Sequence, residues 1–330
     1  MILHPGVLAL VASSLLVAGM VGFAGWQGLR VLRAWDPSSG SARQLDLERR
    51  TTLVSALLAV ALGVELPSLF LYVYTADAVA PLLTGATCAG GTLRATPLGM
   101  PVLVLKLVNV LLAGVWLAVN HADGLGPDAP LVRRKYALLL PLAPLLALEA
   151  AGQIGHFAAL RPEVVTTCCG RMLGGGGEAA AVGVAGLSPG PASVAFFAAI
   201  AAVLAAGAVF QATGRGGVFF AAAAALALPV ALFGIVSFVS PYLYGTPTHH
   251  CPFCLLQREH GYVGYPLYAT LLGGAVTGMG VGALAPARRV ASLAEAVPAL
   301  QRRLASASMV LYALFTMIVT WRIDASALRS

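Results

Sequence analysis

The sequence predicts an all-α, polytopic membrane bundle of about eight transmembrane helices. Three observations predict it. Of 330 residues, 59% are hydrophobic and only 10% charged. Mean hydropathy is +0.86, a composition found in chains that live in lipid. Eight apolar stretches are each long enough to span a bilayer, since a spanning helix needs about 20 apolar residues.

Those stretches fall near 7–29, 52–75, 98–120, 136–158, 192–213, 218–240, 260–284 and 305–323. Residues 1–330 therefore read as a single integral membrane domain, with the lipid bilayer as its principal partner. The first stretch lacks a basic leader and an Ala-x-Ala cleavage site, so it reads as a membrane helix and not as a removed signal. Arg30, Arg33, Arg43, Arg49 and Arg50 lie around the first loop. Arg133, Arg134 and Lys135 lie in the third, Arg215 in the fifth, and Arg288, Arg289, Arg302 and Arg303 in the seventh. These hold thirteen of the 20 basic residues. The positive-inside rule places them in the cytoplasm and both termini on the non-cytoplasmic side, as in a bacterial cytoplasmic (inner) membrane protein. The net charge of +7 reports this topology, and nucleic acid is not an expected partner.

The same rule sends all five cysteines outward, into the loops near 76–98, 159–191 and 241–259. That side is the oxidising one. The first of these loops carries Cys88 before Gly90 and Gly91, a pair that permits close backbone approach. The second carries the adjacent Cys168 and Cys169, followed by Gly174 to Gly177. Neighbouring cysteines can form a strained disulfide, bind a soft metal, or each pair elsewhere.

The third outer loop is the densest in chemistry: Thr248-His249-His250-Cys251-Pro252-Phe253-Cys254-Leu255-Leu256-Gln257-Arg258-Glu259-His260-Gly261-Tyr262. Cys251 suits an N-cap, Pro252 the first helical position, and Cys254 the first turn. A helix N-terminus stabilises a thiolate, so the pair is poised for disulfide exchange. On one continuous helix Arg258 sits at i+4 from Cys254, able to hold a thiolate or a ligand oxygen. A plain stapling disulfide under a polar cap accounts for the same residues.

The run Cys251-Pro252-Phe253-Cys254-Leu255-Leu256-Gln257-Arg258, with the tyrosine-bearing helix after it, resembles the signature of the DsbB-type disulfide-generating membrane oxidases. It is more loosely similar in chemistry to the vitamin K epoxide reductases. The likeness covers about twenty residues from Cys251 onward. It implies a quinone cofactor (ubiquinone or menaquinone), Cys254 beside it with Cys251 as disulfide partner, and Arg258 on the quinone ring. It also implies a second, mobile pair, here Cys168 and Cys169, exchanging with a soluble thioredoxin-like partner on the outer side. That pair precedes the Cys-x-x-Cys in this chain, which departs from the oxidase order. Eight spans also exceed the four of those oxidases.

Glu65, Lys106 and Glu149 lie within the second, third and fourth stretches, at matching depths of about 12–15 Å from the outer ends. Ionisable groups there read as functional by default. They can form a charge-paired packing anchor, or a proton path continued by His156. In the seventh stretch Gly274, Gly278 and Gly282 form a GxxxG ladder for close helix contact. Tyr262, Tyr265 and Tyr268 near its outer end suit an aromatic belt or the wall of a head-group pocket. The stretch 285–304 reads as a short surface helix on the inner side. No phosphate-binding loop, HExxH or Cys-x-x-Cys-His motif is present.

Three functions fit. The first is a thiol–disulfide oxidoreductase passing electrons between outer cysteines (Cys251, Cys254, Cys168, Cys169) and a lipid quinone, with no metal ligand assigned. The second is a copper- or zinc-binding protein of sensor, transport or maturation type, using His249, His250, Cys251 and Cys254. The third is a structural or assembly subunit braced by outer disulfides.

Overall fold

The computed structural model describes residues 2–36, 39, 41–126, 128–163, 189–245 and 249–327. Cys168, Cys169 and the glycines at 174–177 lie outside the described residues. Among the described residues every regular element is helical. Eight helices among the described residues are long and apolar enough to cross a membrane, as the sequence predicts. The expected membrane domain is built from two compact units.

Unit 1 comprises Met1–Thr75, Thr96–Leu160 and Ala283–Gln301. Its helices are α1 (Pro5–Ala34), most of α2 (Ala42–Val79), α4 (Gly99–Asp123) and α5 (Val132–Ala159). Helices α1 and α4 both pack on α5. The core gathers Val17, Val21, Leu58, Leu62, Trp116, Tyr136 and Leu139. Gly28 lets α1 approach α5, since a Cβ there would lie 2.9 Å from the Tyr136 ring. Leu15, Leu16, Val60 and Leu148 are exposed. A helix that is apolar on its outward face as well suits lipid as its solvent. The stretch 285–293 forms two 3-10 turns, Ala285–Arg289 and Ala291–Leu293, not the expected surface helix. Ala287 and Leu293 are buried there, and this apolar anchoring holds the turns down.

Unit 2 comprises Ala76–Ala95, Arg161–Gly282 and Arg302–Ser330. It holds the short α3 (Ala89–Arg94), α6 (Pro189–Thr213), α7 (Gly217–Gly234), α8 (Ser240–Tyr244), α9 (Gly264–Ala283) and most of α10 (Ala296–Ala327). The glycine ladder on α9 works as predicted. A Cβ at Gly278 would sit 2.5 Å from Ala224 Cβ, one at Gly282 2.5 Å from Ala221 Cβ, and one at Gly274 2.9 Å from the Tyr312 ring. Close approach lets polar groups bond between helices. Tyr312 donates to the Ala224 carbonyl at 2.6 Å, and Ser308 to the Gly274 carbonyl at 2.7 Å.

Two boundaries differ from the sequence expectation for local reasons. Helix α2 begins at Ala42, ten residues before the apolar stretch, because Arg43–Arg50 are good helix formers with an Asp46–Arg50 pair at i+4. Helix α9 begins only at Gly264, because Gly261 (φ +66°) and Tyr262 (φ +56°) adopt left-handed conformations that a helix cannot contain.

Candidate functional site

The site lies within unit 2 and is built from two distant stretches. After α2 the chain makes a 3-10 turn, Ala80–Leu82, and reaches Cys88 in an extended conformation at the N-cap of α3. Gly90 then keeps the helix close: a Cβ there would stand 3.1 Å from Phe253, 3.4 Å from Cys88 Sγ and 3.7 Å from Cys251 Sγ. Of the paired glycines, Gly90 thus does permit close approach, from inside a helical turn.

The second stretch does not form the single helix expected over Cys251–Arg258. Cys254–Leu256 make one 3-10 turn, Gln257 is extended (ψ 160°), and Arg258–His260 make another. The break removes the i+4 relation between Cys254 and Arg258, and Arg258 is exposed while both cysteines are buried. The physical reason lies in the neighbouring bonds. Gln257 Nε2 donates to Asp77 Oδ1 (2.9 Å) and to the Thr87 carbonyl (3.0 Å), and Asp77 Oδ1 also accepts from the Ala89 amide at 2.9 Å. Gln257 is pulled toward the Cys88 stretch, and a continuous helix is given up for that tie.

Other bonds fix the Cys-x-x-Cys backbone. Tyr244 donates to the Cys251 carbonyl at 2.7 Å, and Tyr268 to the Pro252 carbonyl at 2.8 Å. Gly264 admits the start of α9 against this turn, since a Cβ would come within 2.9 Å of the Leu255 carbonyl carbon. Of the three tyrosines placed near this helix end, Tyr268 therefore serves the site, while Tyr262 is exposed.

The result is a cluster of three sulfurs. Cys88, Cys251 and Cys254 are 0%, 2% and 5% exposed. Their Sγ atoms all lie within 4.8 Å of one another, with Cys88 and Cys251 at 3.5 Å. That separation is far beyond a disulfide bond of about 2.05 Å. Hydrogen bonds from the Cys254 thiol, then from the Cys88 thiol, and from the Cys254 and Phe253 amides outweigh burial and draw Cys251 down to about 4. Cys254 is pushed well up, first by its hydrogen bond to Cys251, then by that to Cys88, and by burial. Of the Cys251–Cys254 pair, Cys251 is thus the thiol drawn toward its thiolate.

The sequence groups Cys88 with the outward cysteines but assigns the chemistry to Cys251, Cys254, Cys168 and Cys169, and the structure brings Cys88 to the first two. Its position in an outward loop beside two glycines was the available signal. Asp77, Gln257 and Tyr244, which hold the two stretches in register, carry no motif. His249 and His250 do not join the sulfurs. His250 Nδ1 meets the Val236 carbonyl at 3.0 Å within a π-helical turn, Ile235–Val239. The His249 and His260 rings lie 4.3 and 4.6 Å from the Tyr244 ring. Among the described residues, the His, Cys, Asp or Glu groups close enough to share an ion here are the three cysteines.

Chemically, three convergent sulfurs can exchange disulfides or ligate a soft metal. Arg258, the quinone contact that the resemblance implies, starts the second 3-10 turn and is exposed. Compared with family models, with curated proteins and with solved structures, the chain matches none.

Proposed function

We propose that this integral membrane protein binds a soft metal ion, copper(I) before zinc, through the sulfurs of Cys88, Cys251 and Cys254. The observation that carries the reading is the convergence of three buried thiols from stretches 163 residues apart to within 4.8 Å. With a metal–sulfur bond of about 2.3 Å, a trigonal set has edges of about 4 Å, inside the observed spread. Zinc favours four ligands in a closed tetrahedron, whereas an all-sulfur set of three suits copper(I). Burial also favours a metal, since thiols that exchange with soluble partners are partly exposed. The proposed role is holding or passing copper on the non-cytoplasmic side of a bacterial cytoplasmic membrane, the side inferred from the basic loops. His249 and His250, the nitrogen ligands expected from the sequence, are replaced in this reading by Cys88.

One observation favours a second reading, the thiol–disulfide oxidoreductase. Cys251 is an acidic thiol with a second sulfur at 3.5 Å, poised for exchange. In that reading Cys251 and a neighbouring cysteine form one disulfide, releasing two electrons and the thiol proton to a two-electron acceptor. The resemblance supplies a lipid quinone as acceptor and a thioredoxin-like protein as thiol partner. No residue is assigned to hold the quinone.

The discriminating experiment purifies the protein anaerobically under reduction, loads it with copper(I), and assays both bound metal and thiol-dependent quinone reduction. One retained copper per chain, with no quinone reduction, supports the metal reading. Quinone reduction lost in Cys251→Ser, with no copper retained, replaces it by the second.

A further inference from the structure

Unit 1 carries a second polar site, unrelated to the sulfurs. Glu65 and Ser68 come from α2, Lys106 and Asn109 from α4, and Glu149, Gln153 and His156 from α5. Glu65 and Glu149 are 1% exposed, and Lys106, Asn109, Gln153 and His156 are 0% exposed. Lys106 Nζ lies 2.5 Å from Glu149 Oε1 and 3.8 Å from Glu65 Oε1. Asn109 Nδ2 donates to Glu149 Oε2 at 2.6 Å, and Ser68 donates to Glu65 Oε1 at 2.8 Å. Glu149 thus faces a donor at each oxygen, as an ionised carboxylate does.

Charge counting then decides the occupancy. Two carboxylates and one ammonium leave a net charge of −1 in a dry interior, where an uncompensated charge is costly. One proton held between the two carboxyl groups brings the buried cluster to neutrality.

An independent observation indicates how the proton arrives. Glu149, Gln153 and His156 stand at i, i+4 and i+7, one face of α5, over a rise of about 10 Å. Along it Gln153 Oε1 and His156 Nε2 have no hydrogen-bond partner in the protein, and neither has Asn109 Oδ1 beside Glu149. Buried polar atoms of this kind are the usual partners of ordered water. His156 is held by Thr96 through Nδ1 at 2.6 Å, and Gln153 by Ser14 of α1 through Nε2 at 3.2 Å, so both free atoms are fixed in place.

We propose that Glu65 and Glu149 share one exchangeable proton, that Lys106 sets this number at one, and that Gln153 and His156 line its route. The other titratable group on the cluster is Tyr72 of α2. Its ring is 5.8 Å from Lys106 Nζ and its hydroxyl is committed to the Gly99 carbonyl at 3.1 Å.

The test is infrared spectroscopy of the full chain in lipid nanodiscs, reading the carbonyl stretch of neutral carboxylic acids and its shift in heavy water. At neutral pH one buried acid is expected, absent in Glu65→Gln or in Glu149→Gln, and doubled in Lys106→Met. Deuterium exchange at that band should slow about tenfold in His156→Phe and in Gln153→Leu, roughly 1.4 kcal/mol of barrier, with the band intensity unchanged. Absence of the band in the wild-type protein overturns the proposal, as does exchange indifferent to both path substitutions. Loss of the band on adding sodium chloride at constant pH means that a metal cation takes the proton's place, and overturns it too. These readouts involve no cysteine and stand whichever metal or redox chemistry unit 2 performs.

Discussion

Replacing Lys106 by Met is the sharpest perturbation available in unit 1. The ammonium is fully buried between two carboxyl groups, at 2.5 Å from Glu149 and 3.8 Å from Glu65. At an effective dielectric of 20 the 2.5 Å separation from the ionised Glu149 corresponds to an attraction of about 7 kcal/mol. Removing the lysine also removes its own desolvation penalty, several kcal/mol, so the two effects largely offset. What survives is the penalty of a buried carboxylate left without its ammonium, about 3–5 kcal/mol, which Glu149 meets by taking up a proton. Replacing Lys106 by Met together with Glu149 by Gln removes the carboxyl that must be protonated, so the double variant should be more stable than Lys106→Met alone. The assay is reversible denaturant unfolding in mixed micelles, run as a double-mutant cycle. Additive single effects, or a double variant less stable than Lys106→Met, would show that the three charges do not act as one cluster.

Three further outcomes are expected. Gly264→Ala should cost about 1–3 kcal/mol of stability and reduce copper retention, because its Cβ meets the Leu255 backbone at 2.9 Å; unchanged stability and metal content would refute the close packing at this turn. Arg258→Met should leave copper content and stability within about 0.5 kcal/mol of wild type, as for an exposed side chain, and a large loss of either would return Arg258 to the site. A cysteine placed at Gly124 or Arg289 should react with an impermeant maleimide only from the cytoplasmic face, because basic residues flank both loops; labelling from the other face would invert the topology.

The bundle was legible because lipid leaves only closed hydrogen-bonding solutions, so each apolar stretch of sufficient length had to be a helix. Its contacts were partly legible too. The glycine ladder at Gly274, Gly278 and Gly282 is a spacing, and spacing survives into the structure. The matched depths of Glu65, Lys106 and Glu149 likewise follow from counting 1.5 Å per residue. The sulfur site was only half legible. Cys251 and Cys254 advertise themselves by a local motif, whereas Cys88 joins them across 163 positions through the Asp77–Gln257 tie. No local pattern encodes such a tie. The same tie defeats the helical periodicity on which the placing of Arg258 beside Cys254 depended, since one extended residue, Gln257, resets the direction of every side chain after it. The histidines misled for a related reason. His249 and His250 precede Cys251 in sequence, yet His250 meets the Val236 carbonyl and the His249 ring sits edge-on to Tyr244.

The central claim is that Cys88, Cys251 and Cys254 act as a single ligand set, and copper(I) competition against a chromophoric chelator tests it most directly. Wild-type protein should bind one equivalent. Cys88→Ser should weaken binding by more than about a hundredfold, beyond the 10–100-fold expected for groups that merely support a ligand. His250→Ala should bind as wild type does. Full affinity in Cys88→Ser, with loss in His250→Ala, would contradict the three-sulfur site and restore the histidine–cysteine set in its place.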